Sequence, residues 1–226
     1  EGQSVREFHL QGTFGGIDAT NNPILAGGPD LANFDHRRIR IEGDFERIDL
    51  SSGDDKLTVQ NTDRIEIFFN EGNDVLAFDL FGQVFGTIDG GQGDDRIDAD
   101  LGGFIDLTGV EILNVETLNY GSSTLLLTEA QKNGMVLQGT GKVFTLVDGV
   151  VVGTSEDDFA FGSGLGAFQG GAGNDVAENF ERFVLTGNFD DYNYQRQGDQ
   201  LVIEAAGGSF LDGTDTLRNV LELEFG

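Results

Sequence analysis

The chain has 226 residues and a formal net charge of −27, from 13 Lys and Arg against 40 Asp and Glu, with 35 Gly, 19 Phe and no Cys. That charge repels nucleic acid and anionic membranes, no apolar run approaches the roughly 18 residues of a spanning helix, and the lack of cysteine excludes disulfides and thiolate metal sites. A hydrophobic content of 38% is too high for a solvated coil, so the chain folds, and a multivalent cation is the first candidate to offset its self-repulsion.

The chain opens on Glu1 with no secretory signal pattern, the expectation for a processed or excised chain. Residues 1–40 carry Pro23, Gly27-Gly28-Pro29 and a basic island, Arg37-Arg38-Ile39-Arg40, and are expected to form a cap or an arm. The island either pairs with neighbouring acids or docks on the acidic face of another copy. Alternating runs follow, such as Arg38-Ile39-Arg40-Ile41-Glu42 and Asp63-Arg64-Ile65-Glu66-Ile67-Phe68, and they predict strands. The one helix signal lies near 128–133, where Thr128 can cap, Gln131 completes a capping box and Gly134 can close the end. The prediction is an almost entirely β protein.

Between the runs lie short acidic loops on one pattern. Leu50-Ser51-Ser52-Gly53-Asp54-Asp55, Phe69-Asn70-Glu71-Gly72-Asn73-Asp74 and Gly90-Gly91-Gln92-Gly93-Asp94-Asp95 place their last acids 19 and 21 residues apart. Gly153-Thr154-Ser155-Glu156-Asp157-Asp158 and Gly170-Gly171-Ala172-Gly173-Asn174-Asp175 repeat the pattern at a spacing of 17. The strands echo one another as well: Phe45–Leu50 with Phe180–Leu185, and Val110–Asn114 with Val115–Asn119. A period near 20 suits one turn of a flattened β-solenoid, with the acidic corners stacked.

Calcium takes six to eight oxygens, from carboxylates and main-chain carbonyls. Glycine lets a loop turn its carbonyls toward one point, and an ion held between two stacked corners joins neighbouring turns. The bland reading is a set of ordinary tight turns. Asp212 and Asp215 in the last loop are either a further site or a turn.

Gly90-Gly91-Gln92-Gly93-Asp94-Asp95-Arg96-Ile97-Asp98 resembles the nonapeptide G-G-x-G-x-D-x-U-x of the RTX, or haemolysin-type, calcium-binding repeats. Gly170–Glu178 is similar, with Ala177 in the aliphatic place. Residues 180–225 resemble the module that ends many secreted RTX proteins, and residues 110–136 are similar to repeats of RTX-type bacterial S-layer proteins. The resemblance implies Ca2+ as the ligand. Its sixth-place carboxylates would be Asp55, Asp74, Asp95, Asp158 and Asp175, with carbonyls from Gly91, Gly93, Gly171 and Gly173. It also implies type I secretion and an extracellular or cell-surface location in a bacterium. This chain departs from the regular RTX turn of 18 residues with a motif on both sides: its turns are longer and carry the motif on one side.

His9 and His36 are the only histidines and lie in no H-E-x-x-H, and no G-x-S-x-G elbow occurs, so a non-enzymatic role is expected. The expected architecture is an elongated parallel β-solenoid over residues 41–179, a β-rich module over 180–226 and at most one short helix. The expected partners are calcium ions and other copies of the chain, in a surface layer, filament or matrix, without nucleic acid or membrane insertion. The alternative is a calcium-binding module of a larger secreted enzyme, toxin or adhesin.

Overall fold

The computed structural model describes residues 7–11, 38–42, 48–50, 53–60, 64–79, 82–100, 102–162, 164, 166–206 and 212–226. The expected cap or arm lies outside these residues except for two strands. The fold is nearly all β, with one short helix, and forms a parallel β-solenoid of about six turns. Two compact units divide the chain, Glu1–Lys142 and Val143–Gly226.

In the first unit the chain alternates between two sheets. β1 (Glu7–Gln11) and β2 (Arg38–Glu42) lie in the first sheet, and β3 (Ile48–Asp49) in the second. The alternation continues through β4 (Lys56–Gln60), β5 (Arg64–Phe68), β6 (Val75–Asp79), β7 (Gly82–Asp89), β8 (Arg96–Asp98), β9 (Phe104–Leu113), β10 (Thr117–Gly121) and β11 (Thr124–Thr128). The helix α1 (Glu129–Gly134) follows, and β12 (Val136–Gly139) returns to the first sheet. Among the described residues every strand pairing within this unit is parallel.

The register explains the core. Leu57, Leu76, Ile97 and Leu118 are direct partners along the first sheet, and Ile48, Ile67 and Ile88 along the second. All seven are buried. Side chains alternate across a strand, so an aliphatic at the same place in each turn builds a continuous apolar column. Each such residue contributes about 1.5–3 kcal/mol relative to exposure.

α1 forms as its sequence predicts. Thr128 Oγ1 accepts the Gln131 N–H at 3.2 Å, and Gln131 Oε1 accepts the Thr128 N–H at 2.8 Å. Gln131 Nε2 also donates to the carbonyls of Leu107 and Val110, which ties the helix to β9.

The second unit opens with a hairpin of β13 (Val143–Val147) and β14 (Val150–Val152). Asp148 and Gly149, at φ 50° and 81°, supply the left-handed pair that a tight hairpin turn needs. β15 (Phe159–Phe161), β16 (Ala167–Gln169), β17 (Val176–Glu178) and β18 (Arg182–Leu185) then resume the parallel coil. Next come β19 (Tyr192–Gln197) and β20 (Gln200–Ala205), an antiparallel hairpin, before β21 (Thr214–Arg218) and β22 (Glu222–Phe225) complete the coil. One sheet runs β13-β14-β16-β18-β22 and the other β15-β17-β21-β20-β19. β17 pairs in parallel with β21, so the coil repeat passes across residue 180.

The core of this unit is aromatic. Phe168 contacts the rings of Phe144, Phe180 and Phe183 at centroid distances of 5.9, 5.4 and 6.0 Å. Other phenylalanines, Phe159, Phe161 and Phe189, stand in solvent.

Candidate metal centre

The acidic corners stack as their spacing predicts. Asp55, Asp74 and Asp95 end three successive corners of the first unit, and Asp158 and Asp175 end two successive corners of the second. All five are buried. Each stands one residue before a strand, and the aliphatic two places on locks that strand into the core column.

The fourth-place glycines set how closely the corners stack. Gly93 has φ 149°, and a Cβ there would stand 1.6 Å from the Gly72 carbonyl oxygen of the preceding corner. Only glycine combines that backbone conformation with that approach. Gly91, Gly171 and Gly173 also have positive φ, of 88°, 95° and 127°. The Gly173 carbonyl points along the stack to within 1.9 Å of where a Gly213 Cβ would be. The second place is less strict: Asn70 occupies it at φ 76°, in the left-handed region that asparagine tolerates.

A two-way hydrogen-bond ladder joins the corners. Three of the sixth-place carboxylates accept the backbone N–H of their counterpart one corner earlier. Asp74 accepts from Asp55 at 2.6 Å, Asp95 from Asp74 at 2.7 Å, and Asp175 from Asp158 at 2.8 Å. Fifth-place side chains do the reverse, accepting from one corner later. Asp54 accepts from Asn73 at 2.8 Å, Asn73 from Asp94 at 3.0 Å, and Asp157 from Asn174 at 2.8 Å. Hydrogen bonds to an ionised acceptor are about twice as strong as neutral ones.

One oxygen of each carboxylate is thereby used, while Asp74 Oδ2 and Asp95 Oδ2 are buried without a hydrogen-bond partner. The space beside Asp95 is kept free of side chain, since a Cβ on Gly90 would lie 2.7 Å from its Oδ2. Burial, with the neighbouring carboxylates of Asp95, Asp55 and Asp54, pushes the Asp74 carboxyl up to about 7 against the pull of the Asp55 N–H. Asp95 is raised by burial and by Glu116, Asp94 and Asp89. The strongest charges acting on these two groups are other carboxylates.

Two members of the ladder escape the sequence pattern. After Asp95 the next corner is short: Asn114, at φ 51°, turns the chain at once, and no acidic Gly-Asp loop is present. Glu116 takes the sixth place there, and its longer side chain reaches the Asp95 N–H at 2.7 Å. After Asp175 the ladder continues to Asp215, 40 residues on, which accepts the Asp175 N–H at 3.0 Å. Thr214 N–H binds Asn174 Oδ1 at 3.0 Å, completing the reverse ladder. Asp215 is thus a ladder member rather than a simple turn residue. Burial and the carboxylates of Asp175 and Asp212 push it up to about 7.

Asp212, also buried, plays a different part. Its Oδ2 accepts from the Thr186 N–H and hydroxyl at 2.8 and 2.7 Å and from the Tyr192 hydroxyl, while its Oδ1 has no partner. Asp158 differs again. It accepts from the N–H and hydroxyl of Thr154, so this corner closes on its own loop.

Among the described residues no three acidic or histidine side chains converge on one point. The corner carboxylates line up along the stack, and an ion seated there would draw most of its oxygens from loop carbonyls. The donors are all hard oxygens, with partnerless buried carboxylate oxygens among them, and they suit a hard cation. No family model matches the chain, and no match is found among curated proteins.

Proposed function

We propose that the chain is a calcium-binding structural protein whose corner ladder couples cation binding to folding. The observation that carries this reading is the buried column of carboxylates in which Asp74 and Asp95 each keep an unpartnered oxygen and have other acids as their strongest charged neighbours. An isolated buried charge is costly, and it is tolerated when paired or when it coordinates a metal. Ca2+ seated between corners would take carboxylate oxygens from Asp55, Asp74, Asp95, Asp158, Asp175 and Asp215 together with loop carbonyls. The resemblance to RTX repeats supports the same ion, and the solenoid fold is compatible with such repeats.

The ligands come from separate turns, so binding free energy becomes folding free energy. A site held at 100 times its Kd adds about 2.7 kcal/mol. Such a chain would be secreted unfolded by a bacterium and would fold outside the cell, where calcium is plentiful. Its role there would be self-assembly into a surface layer, filament or matrix. The direct experiment is circular dichroism and calcium titration calorimetry on chelated protein. Gain of β structure with heat release on adding Ca2+ is expected. An unchanged, fully folded spectrum in chelator with no binding heat would sink the mechanism. Electron microscopy with calcium tests assembly separately: ordered sheets or fibres are expected, and persistent monomers would exclude it.

A further inference from the structure

Asp212 breaks the pattern of its corner. It stands in the third place, before the fourth-place Gly213 and the sixth-place Asp215. At that place Glu71, Gln92 and Ser155 are exposed and Ala172 is half-buried, whereas Asp212 is 2% exposed. An acid turned inward at a place that otherwise faces solvent calls for a partner.

One of its oxygens is fully provided for. The hydroxyls of Thr186 and Tyr192 and the Thr186 N–H all donate to Oδ2, and the Tyr192 hydroxyl in turn accepts the Gly187 N–H at 2.8 Å. Three donors on one oxygen suit an ionised carboxylate, which only accepts. Asp212 thereby ties together the segment after β18, the start of β19 and the approach to β21, at the base of the inserted hairpin. Its Oδ1 is buried and has no hydrogen-bond partner. Asp212 also lies close enough to Asp215 to repel its charge. The three cationic side chains of this unit are engaged elsewhere: Arg182 with Glu224, Arg218 with Glu178, and Arg196 with the Gly198 carbonyl.

Resting on the calcium reading of the ladder, we propose that Asp212 Oδ1 and Asp215 hold a further Ca2+ that pins the β19–β20 hairpin to the last corner. A buried charge with no cationic side chain to meet it is costly, and coordination of a metal relieves the cost. Carboxylate oxygens are the hard ligands this ion takes, and carbonyls and water would complete its six to eight. The nonapeptide pattern leaves its third place open, so this ion is additional to those that the repeat implies. Its work differs as well. Ladder ions join successive turns of the coil, whereas this one joins the coil to an insertion between turns.

The test uses the full chain, freed of metal by chelation and then given Ca2+ or its luminescent analogue Tb3+. Native mass spectrometry should count one calcium ion fewer in Asp212→Asn than in wild type, with the other ions retained. The amide oxygen of that variant can still accept from Thr186 and Tyr192. The chain has no Trp and three Tyr, so emission from bound Tb3+ excited through the protein reports a nearby tyrosine. Tyr192 is hydrogen-bonded to the proposed ligand. Tyr192→Phe should therefore lower that emission several-fold while the ion count stays the same. Circular dichroism with calcium checks folding, and Tyr192→Phe decides alone if Asp212→Asn does not fold. The proposal is overturned if folded Asp212→Asn keeps the full ion count, or if folded Tyr192→Phe emits like wild type. Calcium binding heat retained in either case leaves the ladder standing, so the two readings fail separately. A wild type that binds no ion overturns both.

Discussion

The two units solve one problem with different chain lengths. In the first, the corner ladder advances by 19 and then 21 residues from Asp55 to Asp74 to Asp95. In the second it advances by 17 from Asp158 to Asp175 and then by 40 to Asp215, because the β19–β20 hairpin is inserted on the way. The N–H to carboxylate distances stay within 2.6–3.0 Å across both. The corner therefore fixes the geometry, and whatever lies between corners is free to vary. This is what a solenoid permits, since each turn answers only to its neighbours.

The largest test of that equivalence is removal of the cation. If both ladders hold ions, EDTA should unfold both units, and near-saturating calcium should restore both, at about 2.7 kcal/mol per site for calcium at 100 times Kd. Hydrogen exchange resolved by segment reads them separately. Protection of 54–98 that survives in chelator while 158–218 loses its own would confine the mechanism to the second unit.

Next in size is Gly93→Ala. The added Cβ meets a backbone oxygen at a φ only glycine favours, so a loss of about 3 kcal/mol or more is expected by thermal or urea unfolding. Gly173→Ala, at φ 127° with a Cβ 2.7 Å from the Glu156 carbonyl, should cost the second unit a similar amount.

Asp74→Asn and Asp215→Asn sharpen the comparison with one substitution in each unit. The amide oxygen keeps the cross-turn hydrogen bond and removes a buried charge. Each variant should therefore be more stable than wild type in chelator at pH 8 and should gain less from calcium. Calorimetry that shows undiminished binding by both would remove these side chains from the ligand set.

The pH response follows from the same groups. Asp74 and Asp215 are raised from 3.8 to about 7 in the folded chain. Between those values the folded chain holds more protons than the unfolded one, so stability in chelator falls as pH rises from about 4 to about 7. Bound calcium stabilises the ionised form and should flatten or reverse this slope. A residual folded fraction in EDTA, read by circular dichroism, that rises across this window would contradict the buried ladder.

The smallest effect belongs to the short corner. Glu116→Asp should fall short of the Asp95 N–H and cost about 1 kcal/mol for a lost hydrogen bond, while Glu116→Gln keeps the reach and costs less. Equal stability of both variants with wild type would show that the Glu116 bond contributes nothing.

Much of this was legible in the sequence because glycine and aspartate at fixed places report backbone needs directly. Gly93 and Asp95 announce a corner whatever surrounds them. The helix was legible for the same local reason, through Thr128 and Gln131, although Gly134 is the last helical residue and Met135 the cap. Glu116 was hidden because its corner has lost the glycines and its longer side chain makes up the distance. Asp215 could be read only as a site or a turn, because an inserted hairpin removes it from the period. The ladder itself depends on register, which no single corner encodes. The echo between Val110–Asn114 and Val115–Asn119 illustrates this limit. The two segments do not stack, since β9 and β10 belong to different sheets.

The paired, opposed bonds at each corner also have a mechanical meaning. Between neighbouring corners one N–H reaches forward and one reaches back, so the junction acts as a reciprocal clamp that neither turn can leave by sliding. A pulling force applied along the chain would have to open these clamps singly. Turns of 19 and 21 residues would each release about 65–75 Å of contour. The first unit's coil would then dissipate work in nearly even steps.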